Sequence, residues 1–173
     1  MNREELPGDA STLIYVARAD AFEAVSACVP TILVPSGVWR EAVTAGEQFG
    51  YPDVAAIREA ERRGWLRRVE LEDRDQVLAD TIATQHRLGL GESEVLALGR
   101  RTRRAIVDEG RAARAARALG IVPISTLFLP VVGRRAGRLD LASALDLLMR
   151  LAVVTGARAA AVFALEQELR RET

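Results

Sequence analysis

The sequence predicts one α/β domain built on a parallel sheet. Three observations lead there. Short β-rich apolar runs alternate with helical patterns along the chain. No repeat, low-complexity segment or linker interrupts them, and 173 residues are one domain's worth of material. The hydrophobic share of 49% and charged share of 28% describe a chain able to bury a core.

In order, 11–19 and 20–28 carry helical patterns, and Thr31-Ile-Leu-Val34 is a β-rich run closed by Pro35. Helical patterns follow over 37–45 and 54–63, the second stopped by Gly64, and 65–71 reads as a strand. Helices are expected over 75–88 and 92–101, split by Gly89-Leu-Gly91. Ala105-Ile-Val107 is a strand, 111–119 a helix ended by Gly120, and 121–124 a strand. From Thr126 onward the chain is expected to be helical in at least two pieces.

Composition excludes several functions. The single cysteine, Cys28, rules out an internal disulfide framework and fits a reducing cytoplasm. With one cysteine and one histidine, a zinc site of the usual ligands is not expected. His86 follows Leu78 and Ile82 at four-residue spacing, which reads as a packed or partly buried side chain. There is no Gly-x-Ser-x-Gly elbow and no Gly-rich phosphate loop. No apolar stretch is long enough to span a bilayer and no signal core opens the chain, so neither membrane insertion nor secretion is expected.

All 24 basic residues are Arg, which together with abundant Ala reads as genomic base bias. The net charge of zero hides an asymmetry: residues 1–99 hold 10 Arg against 17 acids, and residues 100–173 hold 14 against 7. An acidic site beside a basic surface suits a polyanion.

The remaining chemistry is acidic, and clustered carboxylates suit hard cations such as Mg²⁺ or Mn²⁺. Asp108 directly follows an apolar strand, where parallel sheets place ligands, or else caps the next helix. Its neighbour Glu109 serves beside it or faces water. Glu92 shares a helix face with Val95, Leu96 and Gly99, whereas Glu94 points away and is expected to be solvated. Glu92 is then either a site residue or a rim carboxylate near a helix start. Glu41 falls off the apolar arc of Val38, Trp39, Ala42 and Val43, which by periodicity is a surface position. Asp9 precedes an apolar helix and serves equally as its N-cap.

The order of these blocks is recognisable. Asp9-Ala-Ser-Thr-Leu-Ile14, Val38-Trp-Arg-Glu41, Gly89-Leu-Gly-Glu92-Ser-Glu94 and Ile106-Val-Asp108-Glu109 resemble the four acidic blocks of a PIN domain. The run through Arg114, Ala115, Leu119-Gly120-Ile121 and Ser125-Thr126-Leu127 is similar to the subgroup allied to VapC-type toxins. The resemblance implies a three-layer α/β/α fold and a metal-dependent endoribonuclease, with Asp9, Glu41, Glu92 and Asp108 as catalytic, metal-binding acids. One or two Mg²⁺ or Mn²⁺ ions would position the phosphate and activate water, leaving a 5′-phosphate and a 3′-hydroxyl. Ser11 matches the family's small hydroxyl residue, orienting a water or carboxylate or else capping the following helix. The alternative reading is a non-catalytic PIN-like nucleic-acid-binding or regulatory module.

Two departures from the pattern set further expectations. Residues 1–8 are polar and include Pro7 and Gly8, so the family's first strand is expected to be missing, shortened or replaced. The Arg expected four residues after Glu109 is displaced by one, Ala113 standing before Arg114. RNA is the expected partner, through Arg100, Arg101, Arg103, Arg104, Arg111 and Arg114. A cognate antitoxin protein is a further partner that the resemblance implies. Residues 1–138 are assigned to the PIN-like domain and 139–173 to a helical extension packed on that domain or on a partner copy. Its expected apolar stripe is Leu141, Leu145, Leu148, Met149 and Ala152, continued by Val162, Leu165 and Leu169. A homodimer is the resemblance-based expectation.

Overall fold

The computed structural model describes residues 5–108 and 110–172. Strand β1 (Glu5–Pro7) leads into helix α1 (Ala10–Arg18), then α2 (Phe22–Cys28) and β2 (Thr31–Pro35). Helix α3 (Ser36–Trp39) runs through a π-helical stretch (Arg40–Thr44) into α4 (Ala45–Gln48), followed by α5 (Asp53–Arg62) and β3 (Leu66–Val69). Next come α6 (Asp73–His86), α7 (Leu90–Thr102), β4 (Arg104–Ile106), α8 (Arg111–Ala118) and β5 (Val122–Ile124). A 3₁₀ turn (Thr126–Phe128) opens the last segment of α9 (Leu129–Arg135), α10 (Leu141–Thr155) and α11 (Ala159–Arg171).

All strand pairings are parallel: β1 with β2, β2 with β3, β4 with β5, and a single bridge from Gly8 to Ile106 that joins the two ladders. The strand order is therefore 3-2-1-4-5, with its reversal between β1 and β4. Such a reversal opens a crevice at the carboxyl ends of the two strands.

The first strand is present but short, and the sequence explains its length. The Gly8 N–H donates to Leu33 O at 3.1 Å and the Asp9 N–H to Ile106 O at 3.2 Å. Alternation therefore aims the Pro7 nitrogen at β4, and proline has no N–H to give. Pairing between β1 and β4 is reduced to one bridge. A Cβ on Gly8 would lie 2.7 Å from Ile32 Cγ2, so only glycine permits this approach.

Helices α6, α7 and α8 pack together on one face of the sheet, and α1, α2 and α5 with α9 and α10 on the other. Buried Leu13, Ile32, Leu96, Ile106 and Leu148 belong to one continuous core. The last helices join that core, through Leu147, Leu148 and Leu151 of α10 and Leu169 of α11. The buried stripe of α10 is rotated from the expected one: Ala144 and Leu147 lie inside while Met149 is 55% exposed. Helix α10 packs against α1, α9 and the 3₁₀ turn as well as α11, and these neighbours rather than residue type select its inner face. No described helix is long and apolar enough to cross a membrane.

Candidate active site

Asp9 lies just past β1 and Asp108 just past β4, so both carboxylates stand at the crevice where the strand order reverses. Asp9 is also the N-cap of α1, accepting from the Thr12 N–H at 2.8 Å. The helix after Asp108 takes Gly110 as its N-cap, at φ 117°. Asp108 instead turns to Thr126, whose N–H donates to Oδ1 at 2.8 Å and whose hydroxyl donates to Oδ2 at 2.9 Å. The helix-cap alternative holds for Asp9 and not for Asp108.

Two buried hydroxyls connect the pair. Thr12 Oγ1 donates to Asp9 Oδ1 at 2.8 Å, and the Thr12 and Thr126 hydroxyl oxygens lie 3.1 Å apart. The path Asp9–Thr12–Thr126–Asp108 thus has three oxygen-to-oxygen contacts but only two hydroxyl protons. With both acids ionised, one contact has no hydrogen. A proton on Asp9 supplies it. Burial pushes the Asp9 pKa from 3.8 up to about 6, the nearby Asp108 charge adds to the rise, and the hydrogen bonds from Thr12 oppose it.

Glu41 and Glu92 form a second pair. A Cβ on Gly37 would lie 3.1 Å from Gly91 Cα, and one on Gly91 would lie 3.1 Å from Val38 Cγ2. These two glycines let α3 and α7 meet backbone to backbone. Glu41 sits in the π-helical stretch that follows, exposed as its periodicity predicts. Partial burial raises its pKa, and the Glu92 charge raises it further. Glu92 is half-buried at the start of α7, where its Oε2 reaches back and accepts from the N–H of the N-cap Gly89 at 2.9 Å. Among the described residues, no three His, Cys, Asp or Glu side chains converge closely enough to hold a metal ion together.

Glu94 corrects the sequence reading. It is buried rather than solvated, and its Oε2 accepts from the Gly37 N–H at 2.6 Å. Helix α3 begins after Pro35, which offers no side-chain cap, and Glu94 meets the orphan donor from outside. Helix α7 has no solvated face over 93–99, with neighbours on the sheet, α3, α6 and α8, so no position there turns to water. Burial raises the Glu94 pKa, while the Gly37 hydrogen bond and Arg40 oppose that rise.

Ser11 is exposed, and the hydroxyl that orients Asp9 belongs to Thr12. Thr12 and Thr126 are the residues the sequence reading left without roles. The placement rule that singled out Asp108, a polar residue just past an apolar strand, applies equally to Thr126 beyond β5. Glu109 lies outside the described residues. His86 is half-buried near the end of α6.

The arginines fall into two groups. Arg100 donates to Leu119 O at 2.6 Å, and Arg101 pairs with Glu72 at 2.9 Å and Asp75 at 2.7 Å. Arg103 occupies a left-handed turn at φ 60°, and Arg104 begins β4, at the end of the strand away from Asp108. Arg111 and Arg114 are exposed on α8, which starts beside Asp108.

Neighbouring charges distinguish Asp9 from the other buried acids. Asp53 has Arg18 at 2.9 Å and Asp75 has Arg101 at 2.7 Å, while Arg40 lies near Glu94. Among the described residues, no cation offsets Asp9; the one charge that acts on it is Asp108. A buried carboxylate that no described cation offsets, with a second carboxylate beside it, fits a hard divalent ion.

Comparison with known proteins agrees with this geometry. A family model described as a PIN domain matches residues 8–161, from the glycine before Asp9 into α11. No curated protein and no solved structure matches the chain.

Proposed function

The chain belongs to the PIN-domain family, and from that premise we propose that it is a divalent-metal-dependent endoribonuclease. A nuclease-type fold comes with the family. The finer reading rests on one observation: Asp9 and Asp108 stand close together at the crevice and, among the described residues, no cation offsets Asp9. These two would hold Mg²⁺ or Mn²⁺, with Glu41 and Glu92 as the second pair of carboxylates. A bound ion would supply charge neutralisation at the scissile phosphate and a more acidic attacking water. The protein's own part is positioning. Thr12 and Thr126 fix the two aspartates, and Gly37 and Gly91 bring Glu41 beside Glu92. Arg111 and Arg114 offer charge to the RNA backbone.

The motif resemblance extends the proposal to a toxin role, with a cognate antitoxin protein and a second copy of the chain as partners. The second reading, a non-catalytic nucleic-acid-binding module, is favoured by the absence of a three-carboxylate cluster among the described residues.

Incubation of a mixed RNA pool with the protein and Mn²⁺ separates the two readings. The nuclease produces fragments bearing 5′-phosphates, and Asp108→Asn abolishes them. Binding without cleavage by the wild type favours the module.

A further inference from the structure

A cavity of about 370 Å³ opens beside Asp108, and neither the acid pairs nor the arginines of α8 account for it. Its lining includes Tyr15 from α1, Ser125 and Leu127 from the segment after β5, Thr155 from the end of α10 and Arg158 from the turn before α11. Asp108 forms part of the same wall. The sequence reading gave the last two helices a packing role only, yet their connection reaches the crevice.

The polar groups of this cavity are largely uncommitted. The Thr155 hydroxyl donates to Leu151 O at 2.8 Å. Among the described residues, the Tyr15 hydroxyl, the Ser125 hydroxyl and the Arg158 guanidinium make no hydrogen bond or ion pair. Arg158 is exposed at the N-cap of α11, and its side chain caps nothing. Tyr15 is half-buried. A cavity of this size is at the small end of the range for ligand sites, about 300–1,000 Å³. It combines an aromatic ring, two free hydroxyls and an unpaired cation beside a carboxylate.

We propose that this cavity seats one unpaired nucleotide of a single-stranded RNA, next to the scissile bond. Arg158 holds its phosphate and the Tyr15 ring stacks on its base. The inference rests on the nuclease reading for the position of the scissile bond at Asp108. The chemistry carries the rest. A phosphodiester brought up to Asp108 meets like charge, and Arg158 on the same wall offsets it. An aromatic face accepts any unstacked base, whereas a base held in a duplex is not free to enter. Arg158 and Tyr15 are positioning residues here, acting on the substrate's neighbouring nucleotide rather than on the reacting atoms.

The test uses the full chain in EDTA, so that binding is read without turnover. Anisotropy of a fluorescein-labelled single-stranded RNA 8-mer gives the affinity of the wild type, Arg158→Gln, Arg158→Lys and Ala161→Trp across a salt series. Ala161 lines the cavity and is exposed, so a tryptophan there fills the space without entering the core. Arg158→Gln is expected to weaken binding about tenfold and to flatten the log–log salt slope by about 0.7, the value of one phosphate contact on a single strand. Arg158→Lys restores most of that slope, Ala161→Trp weakens binding at every salt concentration, and a duplex of the same sequence responds to neither change. In Mn²⁺, the Arg158→Gln loss falls on KM more than on kcat. Unchanged affinity and slope in Arg158→Gln, with wild-type cleavage intact, overturns the nucleotide seat and leaves the nuclease reading standing. RNA binding that depends on Arg158 without any cleavage overturns the nuclease reading and keeps the seat. No RNA binding by the wild type overturns both.

Discussion

Thr126 holds Asp108 with both of its donors, the N–H on one carboxylate oxygen and the hydroxyl on the other. Side chain and backbone together fix the plane of the carboxylate, and Thr126 is fully buried. Thr126→Val keeps the shape and the N–H but removes the hydroxyl. It is expected to cost about 1–3 kcal/mol of stability and to lower any Mn²⁺-dependent cleavage. Thr126→Ser keeps the hydroxyl and is expected to retain most of the activity. Urea unfolding and cleavage rates check both; full cleavage by the valine variant contradicts a positioning role.

Asp9 makes stability depend on pH in a direction opposite to a salt-bridged acid. Below about pH 3.8 it is protonated folded and unfolded. Between about 3.8 and 6 the folded chain keeps a proton that the unfolded chain releases, so stability falls as pH rises. Above about 6 the full penalty stands, on the order of 3 kcal/mol from a rise of roughly two pKa units. Asp9→Asn removes the charge and still caps α1. Urea unfolding at pH 7.5 should show it more stable than the wild type in the absence of metal, with the gap closing at pH 4. A variant less stable at pH 7.5 contradicts the account.

Glu94 and Glu41 separate structure from site. Glu94→Ala leaves the Gly37 N–H buried without its acceptor and is expected to cost about 1–3 kcal/mol. Glu41→Gln removes a charge from an exposed carboxylate beside Glu92, so its effect should appear in Mn²⁺ binding rather than in folding. Thermal melts with and without Mn²⁺ read both.

Helix α10 offers a packing test. Leu148 is fully buried in the common core, and Leu148→Ala is expected to cost about 2–5 kcal/mol. Met149, its exposed neighbour, should tolerate alanine within about 0.5 kcal/mol. Equal effects from the two would mean that the inner face of α10 is wrongly identified.

The parallel sheet, the crevice and the place of Asp108 were legible because β-rich runs and the residue just past a strand carry local signals. Asp9 was legible as a motif residue, while its strand was obscured by Pro7 and Gly8, the residues that shorten it. Glu94 was misread because a helix wheel presumes one solvated side, and α7 has none over most of its length. Thr12 and Thr126 were missed for a different reason. Their bond joins positions 114 residues apart, and no local pattern announces a partner at that distance. Arg101 stands in a basic run that reads as a contact for RNA, yet Glu72 and Asp75 pair with it through tertiary packing.

The central claim is that Asp9 and Asp108 form a cation site, and the most direct measurement is the Mn²⁺-induced shift in melting temperature at pH 7.5. At a hundredfold excess over Kd, an ion that binds only the folded state adds about 2.7 kcal/mol. In a chain of this length that raises Tm by about 5–11 °C. The wild type should show this shift and Asp9→Asn and Asp108→Asn little or none, with Asp9→Asn at least as stable as the wild type without metal. An absent wild-type shift, or one that both asparagine variants retain in full, would contradict it.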